Sequence, residues 1–283
     1  MKDGTFLDAG RSAQVGESPY TLVSRICGSS RGLNIVASVR HLARAPITEA
    51  VWDFRVQLPS GTRAEQLGQV ATELSNDYPV KEEAWLVEGT FAFSSEAGSA
   101  VSSSARRLNG YFFRSRDEKQ LAQFRLDGFT FNRLAPYTSW DELTPEAFRL
   151  WEIYKKIAGP QALHRIAVRF INRIALPGTA TELDDFLTAV PRIPGELPQL
   201  MAGFFSRVVV PLSMPNTNAA IVQAMGLPPA APVNTILLDV DVFRAEELDP
   251  APSFLRPLFD EFRAFKNHAF FGSLTEQAVR AFE

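Results

Sequence analysis

Two strand-like segments of the chain open with the same Ala-Val pair and end with the same Leu-Pro pair followed by Gly-Thr, and this repeat is the strongest constraint on the fold. Residues 50–62 read AVWDFRVQLPSGT and residues 167–179 read AVRFINRIALPGT. The segments are 117 residues apart at the Ala-Val pair and 118 residues apart at the Leu-Pro pair. Similarity at a fixed separation is the signature of a repeated structural unit. The repeat therefore predicts two related halves.

Predicted elements follow the same order in both halves. In the first half, alternating apolar residues predict strands at 50–58, 84–93, 111–116 and 121–133. The apolar spacing of residues 67–74 predicts a helix. A second helix would begin at the N-cap Thr144 and end at Gly159. In the second half, the corresponding predictions are strands at 164–176, 204–212, 219–225 and 234–243, a helix at 181–187, a long helix from Ser253 and a short helix that starts at Ser273 or Thr275.

This element order predicts an α+β fold in which two related β-α-β-β-β-α halves form a mainly antiparallel sheet with helices packed on one face. Residues 1–38 carry scattered Gly and Ser without a sustained period, so we expect a loosely ordered N-terminal extension. Residues 39–160 and 161–283 would be the two halves of one compact unit. A chain of 283 residues is close to the ~250–300 residues that one core reaches.

Composition argues against several functional classes. The formal net charge of -3 and the pI near 5.8 supply no global attraction for an anionic membrane or for nucleic acid, so a nucleic-acid partner is left open but is not favoured. A single cysteine, Cys27, excludes an intramolecular disulfide and fits a cytoplasmic protein. No continuous apolar run reaches the ~18–20 residues that a membrane span needs, so we expect no membrane association.

Residues 40–50, which read RHLARAPITEA, resemble the opening of a sporadically distributed bacterial protein family of unknown function. Later stretches are similar to further landmarks of that family in the same order: FTFNRL at 129–134, Pro136-Tyr137, Trp140, RFINRI at 169–174, Lys266-Asn267, Phe270-Phe271 and Leu274-Thr275. The resemblance covers residues 40–283 and implies a fold but no catalytic residue. The patchy distribution of the family in bacteria implies an accessory role, such as phage defence or a toxin–antitoxin system.

Three arginines on one predicted strand are the main candidate for a binding site. Arg165, Arg169 and Arg173 share one face of the strand at 164–176, and arginine binds phosphate and carboxylate groups with two parallel hydrogen bonds. The predicted ligand-binding set is Arg165, Arg169, Arg173, Asp53, Arg55 and His41. The alternative is structural: the same guanidinium groups would pair across strands with Asp53, Glu49, Asp239 or Asp241.

Asp239 and Asp241 give a second, weaker candidate. They fall on one face of the apolar strand at 234–243, a geometry that can hold Mg²⁺ in phosphoryl-transfer enzymes. The glycine-rich phosphate element that should accompany such a pair is missing. The three histidines, His41, His164 and His268, have no metal-ligand spacing, so no metal site is predicted apart from this alternative.

The sequence thus predicts a non-enzymatic binding or regulatory protein without a cofactor. Its arginine-lined sheet face would receive an anionic small molecule or a protein partner, and a homodimer is left open. The alternative is a Mg²⁺-dependent phosphoryl-transfer enzyme in which Asp239 and Asp241 hold the metal and the arginines clamp the substrate. Divalent-metal binding would distinguish the two hypotheses.

Overall fold

The strand that opens each predicted half lies at the centre of a single sheet. In the computed structural model, β1 (Ile47–Gln57) pairs antiparallel with β6 (Ala162–Ala175), and Trp52 stands opposite Val168. Apolar side chains alternate with polar ones along both strands, so each strand has one buried and one polar face. The alternation that predicted these strands also determines which way their side chains point.

The structure describes residues 40, 42–93, 100–176, 183–199, 201–226 and 235–283. All of them belong to one compact unit, Ile35–Glu283. The predicted extension 1–38, Cys27 and His41 lie outside the described residues.

Nine antiparallel strands form the sheet in the order β2-β3-β4-β5-β1-β6-β9-β8-β7. The remaining strands are β2 (Val80–Phe93), β3 (Ala100–Arg114), β4 (Gln120–Arg125), β5 (Gly128–Leu134), β7 (Phe204–Pro211), β8 (Thr217–Met225) and β9 (Thr235–Leu248). The prediction of a mainly antiparallel α+β fold is therefore confirmed, and the sheet runs without a break across both predicted halves.

Helices cover one face of the sheet. The long helices are α3 (Trp140–Ala158) and α4 (Pro252–Ser273); the short ones are α1 (Ala64–Leu67), α2 (Ala71–Leu74) and α5 (Glu276–Arg280), and a 3₁₀ turn at Gly68–Val70 joins α1 to α2. Phe54 of β1 marks the centre of the core, because its ring stacks on Trp151 of α3 at 4.6 Å and on Phe259 of α4 at 5.2 Å between ring centroids. Among the described residues, no helix combines the length and apolar character needed to cross a membrane.

The start of α3 differs from the prediction. The helix begins four residues before Thr144, and its N-cap is Ser139, whose hydroxyl accepts a hydrogen bond from the backbone N–H of Glu142. Thr144 is a buried residue inside the helix, so the prediction that it caps the helix is wrong. The other end agrees with the sequence, since Gly159 adopts a left-handed conformation with φ of 56° and ends the helix.

Two further predictions need correction. The predicted strand at 121–133 is a tight hairpin of β4 and β5, because the chain reverses at Leu126-Asp127 and Gly128 takes a φ of 148° that brings its backbone against Phe54. The first half therefore has one strand more than predicted. Within the predicted helix at 181–187, the described residues contain only a 3₁₀ turn at Leu183–Asp185. Two more elements differ in extent: β3 begins at Ala100 rather than at 111, and the helix predicted at 67–74 is interrupted by the 3₁₀ turn. The other strands and α4 lie close to their predicted positions.

Candidate functional site

The three arginines of β6 lie on the sheet face opposite α3 and α4. Arg165 and Arg169 point away from the helices, because the alternate residues of the strand, Ile166, Val168 and Phe170, are buried on the helix-covered face. Arg173 shares their face. We refer to this surface, defined by Arg165, Arg169 and Arg173, as the arginine face.

Carboxylates from both neighbouring strands neutralise two of these arginines. Arg165 donates one hydrogen bond to Asp53 of β1 at 2.7 Å and another to Asp241 of β9 at 2.9 Å. Arg169 donates a forked pair of hydrogen bonds to Asp239 of β9, and this carboxylate holds the pKa of Arg169 above its ordinary value. Arg165 and Arg169 therefore form the cross-strand ion pairs with carboxylates that the structural alternative predicted.

The ion-pair network continues toward β5. Asp53 is only 6% exposed, and besides Arg165 it accepts hydrogen bonds from Arg55 at 3.0 Å and from the Thr130 hydroxyl at 2.8 Å. Arg55 also bonds to Asp127. The negative charge of Asp53 is therefore already satisfied by protein groups. The predicted partner Glu49 instead accepts a hydrogen bond from Asn132.

The remaining predicted site residues are not brought into one constellation. Arg173 is exposed and, among the described residues, its guanidinium has no ion pair or hydrogen bond. His41 lies outside the described residues. Asp239 and Asp241 point at guanidinium groups rather than at an open coordination site, and the described residues contain no group of three or more His, Cys, Asp or Glu that could hold a metal ion.

The helix-covered side of the sheet contains a cavity that sequence reasoning did not identify. It has a volume of about 300 Å³ and lies between the chain segment before β1, the start of α3, strands β6 and β9, and helix α4. We call it the Lys266 cavity. Its lining residues are Arg40, Leu42, Ala43, Ala45, Pro46, Ile47, Tyr137, Thr138, Ser139, Trp140, Asp141, Phe170, Asn172, Val240, Arg263, Lys266, Asn267, Phe270 and Phe271.

Asn172 brings an unpartnered hydrogen-bond acceptor to this cavity. The residue is 1% exposed, and its side-chain Nδ2 donates to the carbonyl oxygens of Phe170 at 3.2 Å and Leu238 at 3.0 Å. These two acceptors fix the orientation of the amide, because a flipped amide would place oxygen against oxygen. Oδ1 is then left buried, without a partner among the residues that the structure describes. A buried acceptor in this state costs about 1–3 kcal/mol, so a donor from a bound molecule would be stabilising.

Lys266 is the second unusual group in the cavity. Its ammonium lies 3.9 Å from the centroid of the Phe170 ring. Lys266 is partly buried, and its side chain lines the cavity. Removal of water from the charge, together with the nearby positive charge of Arg263, lowers the pKa of Lys266 to about 7. Among the described residues, no carboxylate forms an ion pair with it.

The start of α3 contributes further donors. Ser139, Trp140 and Asp141 line the cavity, and the first amide N–H groups of a helix have no partner within the helix. The N-terminal end of a 19-residue helix also carries a partial positive charge. Arg263 reaches the same end of α3, where it donates to Asp141 at 3.0 Å. The polar part of the cavity wall therefore carries donors at the start of α3 and on α4, and the Asp141 carboxylate lies between them.

One sequence signal for this cavity was available. Asn172 interrupts the otherwise apolar face formed by Ile166, Val168, Phe170 and Ile174, and a polar residue at such a position needs a partner or a function. In addition, several stretches that carry the family resemblance line the cavity: Ala45-Pro46-Ile47, Tyr137, Trp140, Asn172, Lys266-Asn267 and Phe270-Phe271. These stretches are far apart in sequence, so their convergence is visible only in the folded chain.

Comparison with protein-family models and with curated proteins gives no match. The resemblance to a bacterial family of unknown function therefore stays a prediction, and the functional argument rests on the geometry of the cavity.

Proposed function

We propose that the protein binds a small anionic molecule in the Lys266 cavity and acts without an enzymatic step. The observation that carries this proposal is the buried Asn172 Oδ1, an acceptor without a partner among the described residues, in a cavity that is also lined by the cationic donors Lys266 and Arg263. A polar atom of this kind is normally satisfied in a native structure. A bound molecule that supplies an N–H or O–H group would satisfy it.

The cavity also indicates the chemical class of the ligand. A volume of about 300 Å³ is at the lower end of the range for small-molecule sites. Phe170, Val240 and Phe270 offer apolar walls, and Lys266, Arg263 and the start of α3 offer donors and positive charge. These features favour a compact molecule with an apolar body, one anionic group and one hydrogen-bond donor.

This proposal keeps the anionic ligand that the sequence predicted but moves it to the other side of the sheet. On the arginine face, an anion would have to compete with Asp53, Asp239 and Asp241 for Arg165 and Arg169. Only Arg173 is left there as an arginine without a described partner. A Mg²⁺ ion at Asp239 and Asp241 would likewise have to displace two guanidinium groups.

We also infer that the fold arose by tandem duplication. Strand β5 borders β1 as β9 borders β6, and β4 and β3 then follow on one side as β8 and β7 follow on the other. An approximate two-fold relation between β1 and β6 accounts for this order, with β2 as an addition to the first half. A cytoplasmic binding or regulatory protein, the class expected from the sequence, is compatible with this architecture.

Native mass spectrometry of the purified protein tests the ligand proposal. We expect a small-molecule adduct that disappears when the protein is unfolded. A titration with benzoate and phenyl phosphate as anionic probes, and benzyl alcohol as a neutral probe, should raise the melting temperature only for the anions. Lys266→Met should weaken both effects, because it removes the amine and keeps the length of the side chain.

Arg173→Met is the matched control on the arginine face. It removes one positive charge from an exposed site and should leave adduct and titration unchanged. An adduct that survives in Lys266→Met and disappears in Arg173→Met would move the binding site to the arginine face. If no adduct is found and neither anion shifts the melting temperature, the proposal is wrong.

A further inference from the structure

Lys266 has the surroundings of an amine nucleophile rather than those of a salt-bridge partner. The charged and titratable groups that share its cavity are Arg40 from the segment before β1, Tyr137 and Asp141 near the start of α3, and Arg263 on α4 itself. Two of them are cations, and Asp141 is paired with Arg263. Arg40 is paired with Glu276 and Glu283. In the described part of the chain, no anion is directed at the Lys266 nitrogen.

These surroundings favour the neutral amine. An ordinary lysine with a pKa near 10.4 has only about one uncharged molecule in 2,500 at pH 7. Burial and Arg263 lower the pKa of Lys266 to about 7, so about half of it is uncharged at that pH. A desolvated lysine in an apolar pocket is a recognised way to activate an amine for attack on a carbonyl carbon.

We propose that Lys266 captures its ligand as a reversible imine, and that the ligand is an aldehyde or ketone that also carries a carboxylate or phosphate. This inference rests on the proposed function, because it uses the same cavity. The Nζ lone pair forms a bond to the carbonyl carbon, and a proton moves from nitrogen to oxygen to give a carbinolamine. The hydroxyl group then leaves as water with a second proton, and a C=N bond remains. No oxidant or reductant is consumed, and hydrolysis reverses the step.

The remaining polar groups of the cavity fit such a ligand. Once Lys266 is the covalent anchor, the anionic group of the ligand can be held by the free amides at the start of α3 and by Arg263. Asn172 Oδ1 is the unpartnered acceptor for an N–H or O–H of the adduct. The ring of Phe170 lies 3.9 Å from Nζ and would stabilise the positive charge of a protonated imine.

Reductive trapping tests the inference on the full-length protein. Glyoxylate is the anionic probe, propanal is the neutral probe, and sodium borohydride converts any imine into a stable secondary amine. Peptide mass spectrometry then measures modification at each lysine. At pH 7 we expect Lys266 to be carboxymethylated by glyoxylate about a hundredfold faster than a surface lysine, because its share of free amine is about 1,000-fold larger and the lower basicity of the amine offsets part of this gain. Lys156, which is exposed on α3, is the internal reference.

Two comparisons decide the outcome. Trapping at Lys266 should exceed trapping at Lys156 for both probes, and the excess should be larger for glyoxylate because its carboxylate is bound. The Arg263→Met variant should lose several-fold more labelling by glyoxylate than by propanal, because only glyoxylate has a carboxylate for Arg263 to hold. Equal labelling of Lys266 and Lys156 by both probes would overturn the imine proposal. In that case, an unchanged response to benzoate and phenyl phosphate would still support anion binding, so the two proposals can fail separately.

Discussion

Arg165 of β6 bonds to carboxylates on both neighbouring strands, β1 and β9, and its removal should destabilise the fold. Its side chain is 28% exposed and bonds to the carboxylates of Asp53, whose side chain is 9% exposed, and of Asp241, whose side chain is 24% exposed. In Arg165→Met, Asp53 keeps Arg55 and Thr130 as partners. Asp241 loses its only hydrogen bond from a described residue, and its Oδ1 is already buried without a partner. Most of the cost should therefore arise at Asp241.

The size of the effect follows from burial. Breaking a fully buried ion pair costs about 3–5 kcal/mol, and a hydrogen bond to a charged group contributes about 1.5–3 kcal/mol. Because Arg165 and Asp241 are each about one quarter exposed, water will screen part of this, and we expect a loss of about 2 kcal/mol. For a domain of this size, that corresponds to a fall in melting temperature of about 4–8 °C.

The effect should depend on pH in a defined direction. Burial raises the pKa of Asp241 above its ordinary value, and the charge of Arg165 opposes that rise. Removing Arg165 raises the pKa of Asp241 further. A carboxyl group with a raised pKa in the folded state destabilises the fold at high pH, and this penalty disappears as the pH falls through the folded-state pKa. The deficit of Arg165→Met should therefore shrink as the pH is lowered from 7 toward 4.

Differential scanning calorimetry at both pH values, with Arg173→Met as the control, checks this reasoning. Arg173 lies on the same face of the same strand without a described partner, so its loss should change stability by less than about 0.5 kcal/mol. Adding Asp241→Asn to Arg165→Met should restore part of the stability at pH 7. If Arg165→Met melts within 1 °C or so of Arg173→Met, the ion pairs of Arg165 contribute nothing and the argument is refuted.

Two further perturbations test the fold. Gly128→Ala should destabilise the protein by about 3 kcal/mol or more, because a Cβ would lie 2.1 Å from the Phe54 carbonyl oxygen. Gly272→Ala in α4 is the control: its Cβ would meet open space, so the change should be neutral or stabilise the protein by up to about 1 kcal/mol. Urea denaturation measures both variants, and equal effects would contradict the close contact at the β4–β5 turn. Residues 88–105 include the ends of β2 and β3 that pair only with each other, since β4 pairs with β3 only from Gly110 to Arg114. Replacing residues 88–105 by a short turn should therefore leave the melting temperature within about 2 °C of that of the unchanged protein. Loss of cooperative unfolding in this variant would show that residues 88–105 support the core.

The fold could be predicted largely from the sequence because its signals are local. Alternation along 50–58 and 164–176 is a property of each strand, and Gly159 marks a helix end by itself. The start of α3 was misplaced because Ser139 and Thr144 both offer a cap, and only the packing of Trp140 in the core selects the earlier one. The extra strand in the first half was missed because Gly128 can be a bulge or the end of a turn, and the sequence does not distinguish them.

The roles of the polar residues depend on which strands become neighbours. The sequence indicates that Arg165 and Arg169 share a face, but whether they bind a ligand is decided by β1 and β9, whose carboxylates come from residues at least 70 positions away. Lys266 is hidden for a related reason. The sequence of α4 predicts an amphipathic helix whose apolar stripe contains Leu255, Phe259 and Phe262. A lysine beside such a stripe is normally solvated. Only the position of α4 over β6 encloses it.

The two faces of the sheet differ in how many of their charged groups are paired within the described residues, and this difference supports the proposed binding site. On the arginine face, the charges of Asp53, Arg165 and Arg169 are matched by protein partners, so a ligand would gain little by replacing them. In the Lys266 cavity, Asn172 Oδ1 and the Thr138 hydroxyl are buried without partners, and the amine has no counter-ion among the described residues. A bound molecule would supply hydrogen-bond and charge partners to these groups, which is why we propose binding on the helix-covered side.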